Sequence, residues 1–133
     1  MIDKLILPWP PSVNTYYRSV SFKGRGCRVL LSKRGREYRT EVGELIDRLC
    51  RDDADGCKAF PYTDRLSVDI TLNPPNRRKF DIDNRIKATL DALQHAAVFE
   101  DDEQVDSLSV QRGIITTSGS AVVVIRWLPG ATP

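Results

Sequence analysis

Acidic and basic side chains alternate closely in residues 76–87 of this sequence. Asp81 and Asp83 stand two residues apart. They follow three cations, Arg77, Arg78 and Lys79. Carboxylates bind a hard divalent metal ion, whereas cations bind a polyanion. The combination therefore predicts a site that holds a metal ion against a phosphate backbone, as a nuclease requires.

A second acidic group lies at residues 100–106, of which five of seven are acidic. Mg²⁺ takes oxygen ligands, usually one or two carboxylates together with water and phosphate oxygens. A bound divalent ion lowers the pKa of its water and screens the phosphate charge. The sequence has one histidine and no Cys-x-x-Cys pair, so zinc chemistry is disfavoured. These residue types favour metal-assisted phosphodiester hydrolysis.

A structural role stays open for each of these charged residues. Asp81 and Asp83 lie where a helix is expected to begin, and aspartate is favoured at helix N-termini. Four residues recur at every fourth position: Asp83, Lys87, Asp91 and His95. Such spacing fits an exposed helix face with ion pairs. It also allows Lys87 to stabilise charge on a phosphate beside the carboxylates.

The segment 16–39 is strongly basic, with eight Lys and Arg residues and one acid, Glu37. This asymmetry predicts a surface for a polyanion, although a solvated loop would have the same composition. The candidate DNA contacts within it are Arg18, Lys23, Arg25 and Arg28. Three aromatics in it, Tyr16, Tyr17 and Phe22, are candidates either for stacking on bases or for ordinary packing.

Composition places the chain among single-domain proteins. It has 133 residues, of which 41% are hydrophobic, and a net charge of +2. We expect one domain covering residues 1–133. Its three cysteines, Cys27, Cys50 and Cys57, are expected to be reduced. Because the apolar runs are too short for a signal peptide or a membrane span, we expect a cytoplasmic protein without membrane contact.

Hydrophobic periodicity predicts the elements that must position these residues. A short strand at 4–7 precedes a long basic loop at 12–31. Ser32 is placed to cap a helix that ends near Cys50. Alternating apolar residues at 66–72 predict a half-buried strand.

The second half predicts one more helix and two strands. The helix begins near residues 81–84, and its buried stripe is Ile86, Leu90, Leu93 and Ala97. Strands at 107–115 and 121–128 are expected to form a hairpin around residues 117–120. The order β-α-β-α-β-β predicts an α+β fold, with a small mixed sheet and two helices packed on it.

Two sets of motifs in this chain resemble the RusA family of Holliday junction resolvases. The first is Arg-Arg-Lys-Phe-Asp-Ile-Asp-Asn at 77–84, followed by Lys87 and by Asp-Asp-Glu-Gln-Val at 101–105. The second is Leu-Pro-Trp-Pro-Pro-Ser-Val-Asn at 7–14, followed by Tyr-Arg at 17–18. The resemblance covers most of the chain.

The resemblance implies a homodimeric, Mg²⁺-dependent endonuclease that resolves four-way DNA junctions, with Mn²⁺ as a substitute ion. Asp81, Asp83 and Asp102 correspond to the carboxylates that hold the metal, and Lys87 to the essential lysine. Asp101 is a weaker candidate. A two-fold dimer would match the two equivalent strands of a junction.

Two other functions remain open on the sequence alone. One is a non-catalytic module that binds branched DNA. The intact acid set argues against it, because carboxylates near phosphates weaken binding unless a metal ion intervenes. The other is a metal-dependent nuclease that acts on flaps or single strands.

Overall fold

A computed structural model of the chain describes residues 2–24, 26–52 and 60–128. In chain order the elements are β1 (Ile2–Pro8), α1 (Val13–Tyr16), β2 (Tyr17–Phe22), β3 (Gly26–Leu31), α2 (Lys33–Asp52), β4 (Leu66–Asn73), α3 (Ile86–His95), β5 (Val105–Arg112) and β6 (Ser120–Trp127). Two 3₁₀ turns accompany them, at Ile82–Arg85 and Asp102–Gln104.

The main sheet has four strands in the order β1-β6-β4-β5. β4 runs parallel to β5, whereas β6 pairs antiparallel with both β1 and β4. A separate two-stranded sheet is formed by β2 and β3. The predicted α+β class, with a mixed sheet and two long helices, is confirmed.

One face of the main sheet carries the core. Along β4, alternate residues are buried, as the predicted period-two pattern requires. The strand register places Leu5, Val123 and Ile70 side by side on this face. All three side chains are buried, so β1, β6 and β4 share one apolar surface.

The helix α2 covers this apolar surface. It begins where predicted, because the hydroxyl of Ser32 accepts a hydrogen bond of 3.0 Å from the backbone N–H of Gly35. Tyr38, Val42 and Ile46 are buried at helical spacing. The Tyr38 hydroxyl also donates to the carbonyl of Pro8 at 2.9 Å, which joins α2 to the end of β1.

The helix α3 packs beside α2 through Ala88, Leu90 and Leu93. It starts later than predicted, because the chain first makes the 3₁₀ turn Ile82–Arg85. It also ends sooner. Ala97, which was expected in the buried stripe, is exposed beyond the helix with a φ of 62°.

The segment 12–31, predicted to be a loop, instead contains α1, β2 and β3. The prediction failed because the hairpin is exposed on both faces over most of its length, so it has no alternation of apolar residues. The register puts Arg18 and Arg28 on the same face of this hairpin.

The predicted hairpin between the last two strands is also wrong. β5 and β6 are not neighbours, since β4 lies between them in the sheet. The predicted turn does form, with Ser118 and Gly119 at positive φ. The connection at 113–119 instead carries the chain from β5 past β4, so that β6 pairs on the other side of β4.

A glycine sets the position of the β2–β3 hairpin. A Cβ on Gly35 would lie 2.4 Å from the carbonyl oxygen of Tyr16 and 2.9 Å from a methyl carbon of Leu31. The backbone N–H of Ser32 donates to the same Tyr16 carbonyl at 2.9 Å. The first turn of α2 therefore packs directly against the base of the hairpin.

The cysteines depart in part from expectation. Cys50 is disulfide-bonded in the structure, so the prediction of reduced thiols is wrong for this residue. Cys27 is free and exposed on β3. Cys57 lies outside the described residues. Within the described ranges, no helix is long and apolar enough to cross a membrane.

Candidate functional site

The predicted site residues lie on the connection between β4 and β5. Because these strands are parallel, the chain must return along the sheet between them, and α3 makes this return. Asp81 and Asp83 lie just before α3, and Lys87 lies in its first turn. Asp102 lies after the helix, in the turn that leads into β5.

Asp81 does not cap a helix, although it occupies the capping position. It precedes the turn Ile82–Arg85, yet its side chain makes no capping hydrogen bond. Among the described residues its side chain has one polar contact, a long one of 3.5 Å between its Oδ2 and the side-chain nitrogen of Asn84. Asp83, in the first turn, is exposed as Asp81 is. The capping explanation therefore fails for Asp81.

Lys87 and Asp102 form an ion pair across the connection. The Lys87 Nζ lies 3.3 Å from the Asp102 Oδ2, and the two side chains are 50% and 33% exposed. Partial burial lowers the pKa of Lys87, but the charge of Asp102 and its hydrogen bond outweigh this and leave the pKa raised. The lysine is thus held in its charged form at neutral pH.

Two glutamines hold the turn that carries Asp102. The side-chain oxygen of Gln94 accepts from the backbone N–H of Asp102 at 2.9 Å. The buried Gln104 accepts from the N–H groups of Glu100 and Asp101 and donates to two carbonyls, those of Tyr62 and Asp64. Every polar atom of this buried amide is therefore paired.

Asp101 has a structural role in the same turn. Its carboxylate accepts from the N–H of Glu103 at 3.0 Å, and with Gln104 it forms a capping box. The carboxylate that was a weaker candidate for the metal is therefore used to cap the turn beside Asp102.

Arg65 pairs with two further acids of the run at 100–106. Its guanidinium contacts the carboxylate of Glu103 at 3.0 Å and that of Asp106 at 2.5 Å. The hydrogen bond from Arg65 lowers the pKa of Asp106. Asp106 and Glu103 thus belong to a surface ion network, which leaves Asp102 as the acid of this run that contacts Lys87.

Asp91 lies one turn after Lys87 and has different partners. The Tyr16 hydroxyl donates to it, and the Nη2 of Arg39 lies 2.7 Å from its Oδ2. Burial is the main cause of a raised pKa for Tyr16, which is 0% exposed. Tyr16 is thus a core residue and cannot stack on DNA, while His95 is exposed at the end of α3.

The structure brings the predicted residues together only in part. It joins Lys87 to Asp102, and it places Asp81 and Asp83 on the turn directly before the helix of Lys87. In the part of the chain that the structure describes, no three carboxylate, histidine or cysteine side chains are grouped closely enough to hold one ion.

The predicted DNA contacts form two exposed basic surfaces. The first is the loop after β4, with Arg77, Arg78 and Lys79. The second is the β2–β3 hairpin, with Arg18, Lys23 and Arg28, none of which forms an ion pair with another described residue. Arg25 lies outside the described residues. Tyr17, at the start of β2, is near enough to Lys87 to affect its pKa, so the hairpin begins beside the site.

Sequence reasoning did not identify Gln104, Gln94 or Arg65 as supports of the site. For Gln104 a signal was present, since Asp101 and Gln104 have the spacing of a capping box. Arg65 acts on acids 38 and 41 residues away, and Gln94 on a residue eight positions later. Neither belongs to a recognisable motif.

Comparison with known proteins places the chain among nucleases. The sequence model of the family described as endodeoxyribonuclease RusA matches residues 8–126. A protein of Enterobacteria phage HK97 named crossover junction endodeoxyribonuclease is 36% identical over 125 residues, which is 94% of each chain. Proteins of that name from Escherichia coli strain K12 and from Enterobacteria phage 82 are each 36% identical over 121 residues, or 91% of each chain.

These relatives share one class, that of endodeoxyribonucleases. The family match includes both acidic segments, Lys87 and the loop at 77–79. The chain belongs to the RusA endodeoxyribonuclease family.

Proposed function

We propose that this chain is a Mg²⁺-dependent endonuclease that resolves four-way DNA junctions by nicking paired strands. Family membership and the names of the relatives support the reaction and the substrate. The observation that carries the assignment to these residues is that Lys87 pairs with Asp102, while Asp81, just before the turn that leads into the helix of Lys87, makes no capping hydrogen bond. The extent of the family match supports a single domain over 1–133, and we place it in the cytoplasm, where DNA is accessible.

Asp81, Asp83 and Asp102 are the proposed metal ligands. Their donors are carboxylate oxygens that are at least partly exposed, which is the chemistry that Mg²⁺ prefers and that Mn²⁺ also accepts. Asp81 fits this role because no capping bond occupies its oxygens. When bound, the ion would lower the pKa of a water molecule and screen the phosphate charge.

Lys87 is proposed to stabilise the negative charge that develops on the phosphate during cleavage. Its ammonium group is protonated at neutral pH, and the neighbouring Asp102 raises its pKa further. A fixed cation at this place needs little rearrangement during the reaction. Gln94 and Gln104 contribute indirectly, since they hold the backbone of the turn that carries Asp102.

The two basic surfaces are proposed to bind the DNA backbone. Arg77, Arg78 and Lys79 lie next to the carboxylates in sequence and would contact phosphates near the cut. The β2–β3 hairpin would contact an arm of the junction through Arg18, Lys23, Arg25 and Arg28. Phosphate contacts carry no sequence information, so these surfaces would select branched DNA by the positions of its phosphates.

We propose that two copies pair through the β5 edge of the sheet. Leu108 is aligned with the buried Val68 and shares its face of the sheet, yet Leu108 is 42% exposed. β5 pairs with β4 on one side, and the described residues place no strand on its other side. A second copy would cover both the leucine and the open edge, and it would supply a second site related by two-fold symmetry.

A labelled four-way junction tests the proposed reaction. The wild type is expected to cut paired strands in Mg²⁺ or Mn²⁺ and to bind without cutting in EDTA. Asp81→Asn should not cut, yet it should bind at least as tightly, because a negative charge near phosphate is removed. Glu100→Gln is the matched control, an exposed acid outside the proposed ligand set, and should cut normally.

The same substrates distinguish the alternative functions. Binding without any Mg²⁺-dependent nicks would favour a non-catalytic module for branched DNA. Faster cutting of flaps or single strands than of junctions would favour a nuclease with another substrate. If Asp81→Asn cuts normally but unfolds at lower temperature than the wild type, the aspartate is structural and the site is wrongly assigned.

A further inference from the structure

A cavity of about 210 Å³ lies beside the loop that leads to Asp81. The side chains that matter are Trp9, Asn76, Arg78, Lys79, Phe80 and Arg85. They come from the segment after β1, the loop after β4 and the turn before α3. Phe80 directly precedes Asp81, so the cavity adjoins the proposed metal ligands through the backbone.

The wall of this cavity contains two aromatic rings and a guanidinium group that lie close together. The rings of Trp9 and Phe80 meet edge to face, with their centroids 5.0 Å apart. The guanidinium of Arg85 lies 5.0 Å from the Trp9 ring, and Arg112, from outside the lining, supports the Phe80 ring at 4.0 Å. Such a set of aromatic and guanidinium groups is suited to stacking against a nucleobase.

Arg85 also leaves a hydrogen-bond donor unused. Its Nη1 donates to the carbonyl of Pro10 at 2.7 Å, which fixes the side chain. Its Nε is buried and has no hydrogen-bond partner among the described residues. A buried, unpaired donor is costly, and because the Nε is not exposed to the cavity, Arg85 contributes its position against the Trp9 ring and not a hydrogen bond to a ligand.

The mouth of the cavity is polar and cationic. The side-chain oxygen of Asn76 accepts from the backbone N–H of Arg78 at 2.9 Å, which orders this part of the loop. The amide nitrogen of Asn76 donates to no other described residue, so it is available as a donor. The exposed side chains of Arg78 and Lys79 could contact the phosphate of a nucleotide whose base lies inside.

We propose that this cavity binds one unstacked nucleobase of the DNA strand, next to the phosphate that is cut. The proposal rests on the proposed function. It makes the cavity a determinant of where along a strand the enzyme cuts. Because the Asn76 amide nitrogen is a donor, the cavity should prefer a base with an exocyclic carbonyl oxygen over adenine, whose acceptors are ring nitrogens.

Junctions with single abasic residues test this proposal without requiring cleavage. Each junction carries one abasic residue at a different position near the branch point, and its affinity is measured by fluorescence anisotropy in EDTA. For the wild type, one position should weaken binding by roughly 5- to 150-fold, the size of a lost stacking contact. At that position, cutting in Mg²⁺ should be slowest with adenine.

Variants locate the effect in the cavity. Asn76→Ala and Phe80→Leu should reduce the abasic penalty and flatten the base preference. Gln111→Ala, which removes an exposed amide outside the cavity, should leave the abasic penalty and the base preference unchanged. Circular dichroism checks that each variant is folded. Because Asn76 is exposed, its variant remains informative even if the Phe80 variant is unstable.

The possible failures are distinguishable. If the wild type binds and cuts junctions but no abasic position matters, the base site is overturned while the proposed function stands. The same holds if the penalty persists in both folded variants, or if adenine is cut as well as the other bases. If the wild type neither binds nor cuts junctions, the proposed function itself fails.

Discussion

The ammonium group of Lys87 lies 3.3 Å from the carboxylate of Asp102, and this contact joins the start of α3 to the turn before β5. The two residues are brought together because α3 returns the chain between two parallel strands. The pair is half exposed, so it contributes at most about 1 kcal/mol to folding. Its position between two predicted acidic segments indicates a role in function more than in stability.

Replacing Lys87 should therefore affect cleavage and leave the fold intact. Lys87→Met is expected to slow junction cleavage by roughly 100-fold or more, the usual effect of removing one group that stabilises transition-state charge. Binding in EDTA should change by less than about tenfold, as one phosphate contact among several is lost. Single-turnover rates and anisotropy measure both quantities. Lys4→Met, an exposed lysine on β1, should behave as wild type.

Gln104 should act through the position of Asp102. Gln104→Leu removes an amide that pairs with four backbone groups, and it is expected to lower the free energy of unfolding by about 1–3 kcal/mol. Cleavage by the folded variant should also fall, because the turn that carries Asp102 loses its anchor. Urea unfolding and single-turnover rates test this. Equal stability of Gln104→Leu and the surface control Gln111→Ala would contradict it.

The Arg65–Asp106 pair should make stability depend on pH in the acid range. The folded pKa of Asp106 lies below its ordinary value of 3.8, so the pair stabilises the protein above that pH. This stabilisation is lost as pH falls through the folded pKa. The melting temperature of the wild type should exceed that of Asp106→Asn at pH 6, and the difference should shrink towards pH 3. A difference that stays constant would show that this carboxylate is not stabilised by its charge.

The hairpin surface should contribute to the salt dependence of binding. Each phosphate contact changes the slope of log affinity against log salt by about 0.9. If Arg18 and Arg28 each contact one phosphate, the double variant Arg18→Gln/Arg28→Gln should reduce the slope by about 2. Arg48→Gln, an exposed arginine on α2, is the control and should leave it unchanged. An unchanged slope in the double variant would show that Arg18 and Arg28 on the hairpin do not contact DNA phosphates.

The proposed dimer surface can be tested with two matched substitutions. Leu108→Lys should convert a dimer into monomers in analytical ultracentrifugation, because it places a charge on the face that a second copy would cover. Ile6→Lys, on the opposite face of the sheet, should leave the dimer intact, although Ile6 is even more exposed. If Ile6→Lys gives monomers and Leu108→Lys stays dimeric, the interface lies on the face of the sheet that carries Ile6.

Much of the fold followed from apolar periodicity. The pattern of Tyr38, Val42 and Ile46 predicted α2, and the alternation in β4 predicted the most buried strand. The β2–β3 hairpin was missed because it carries no such pattern. The pairing of β5 with β4 was missed because nothing local distinguishes a parallel partner from a hairpin partner.

The candidate site was predictable in its composition but not in its supports. Asp81, Asp83, Lys87 and Asp102, the proposed site residues, were predicted from charge and from the resemblance of their motifs to the family. Their surroundings depend on long-range contacts, such as that of Gln104 with the carbonyl of Tyr62. Residue type alone could not show that Asp101 caps a turn while Asp81, with the same chemistry, does not.

The tight contact at Gly35 means that a substitution far from the charged residues can change how the hairpin is oriented. A methyl group there would collide with the Tyr16 carbonyl and push the hairpin arm outward, although no charged residue would be altered. An alanine at this position should therefore weaken DNA binding without changing any proposed site residue. The β2–β3 hairpin would still carry Arg18 and Arg28, but it would hold them in a different orientation to the site.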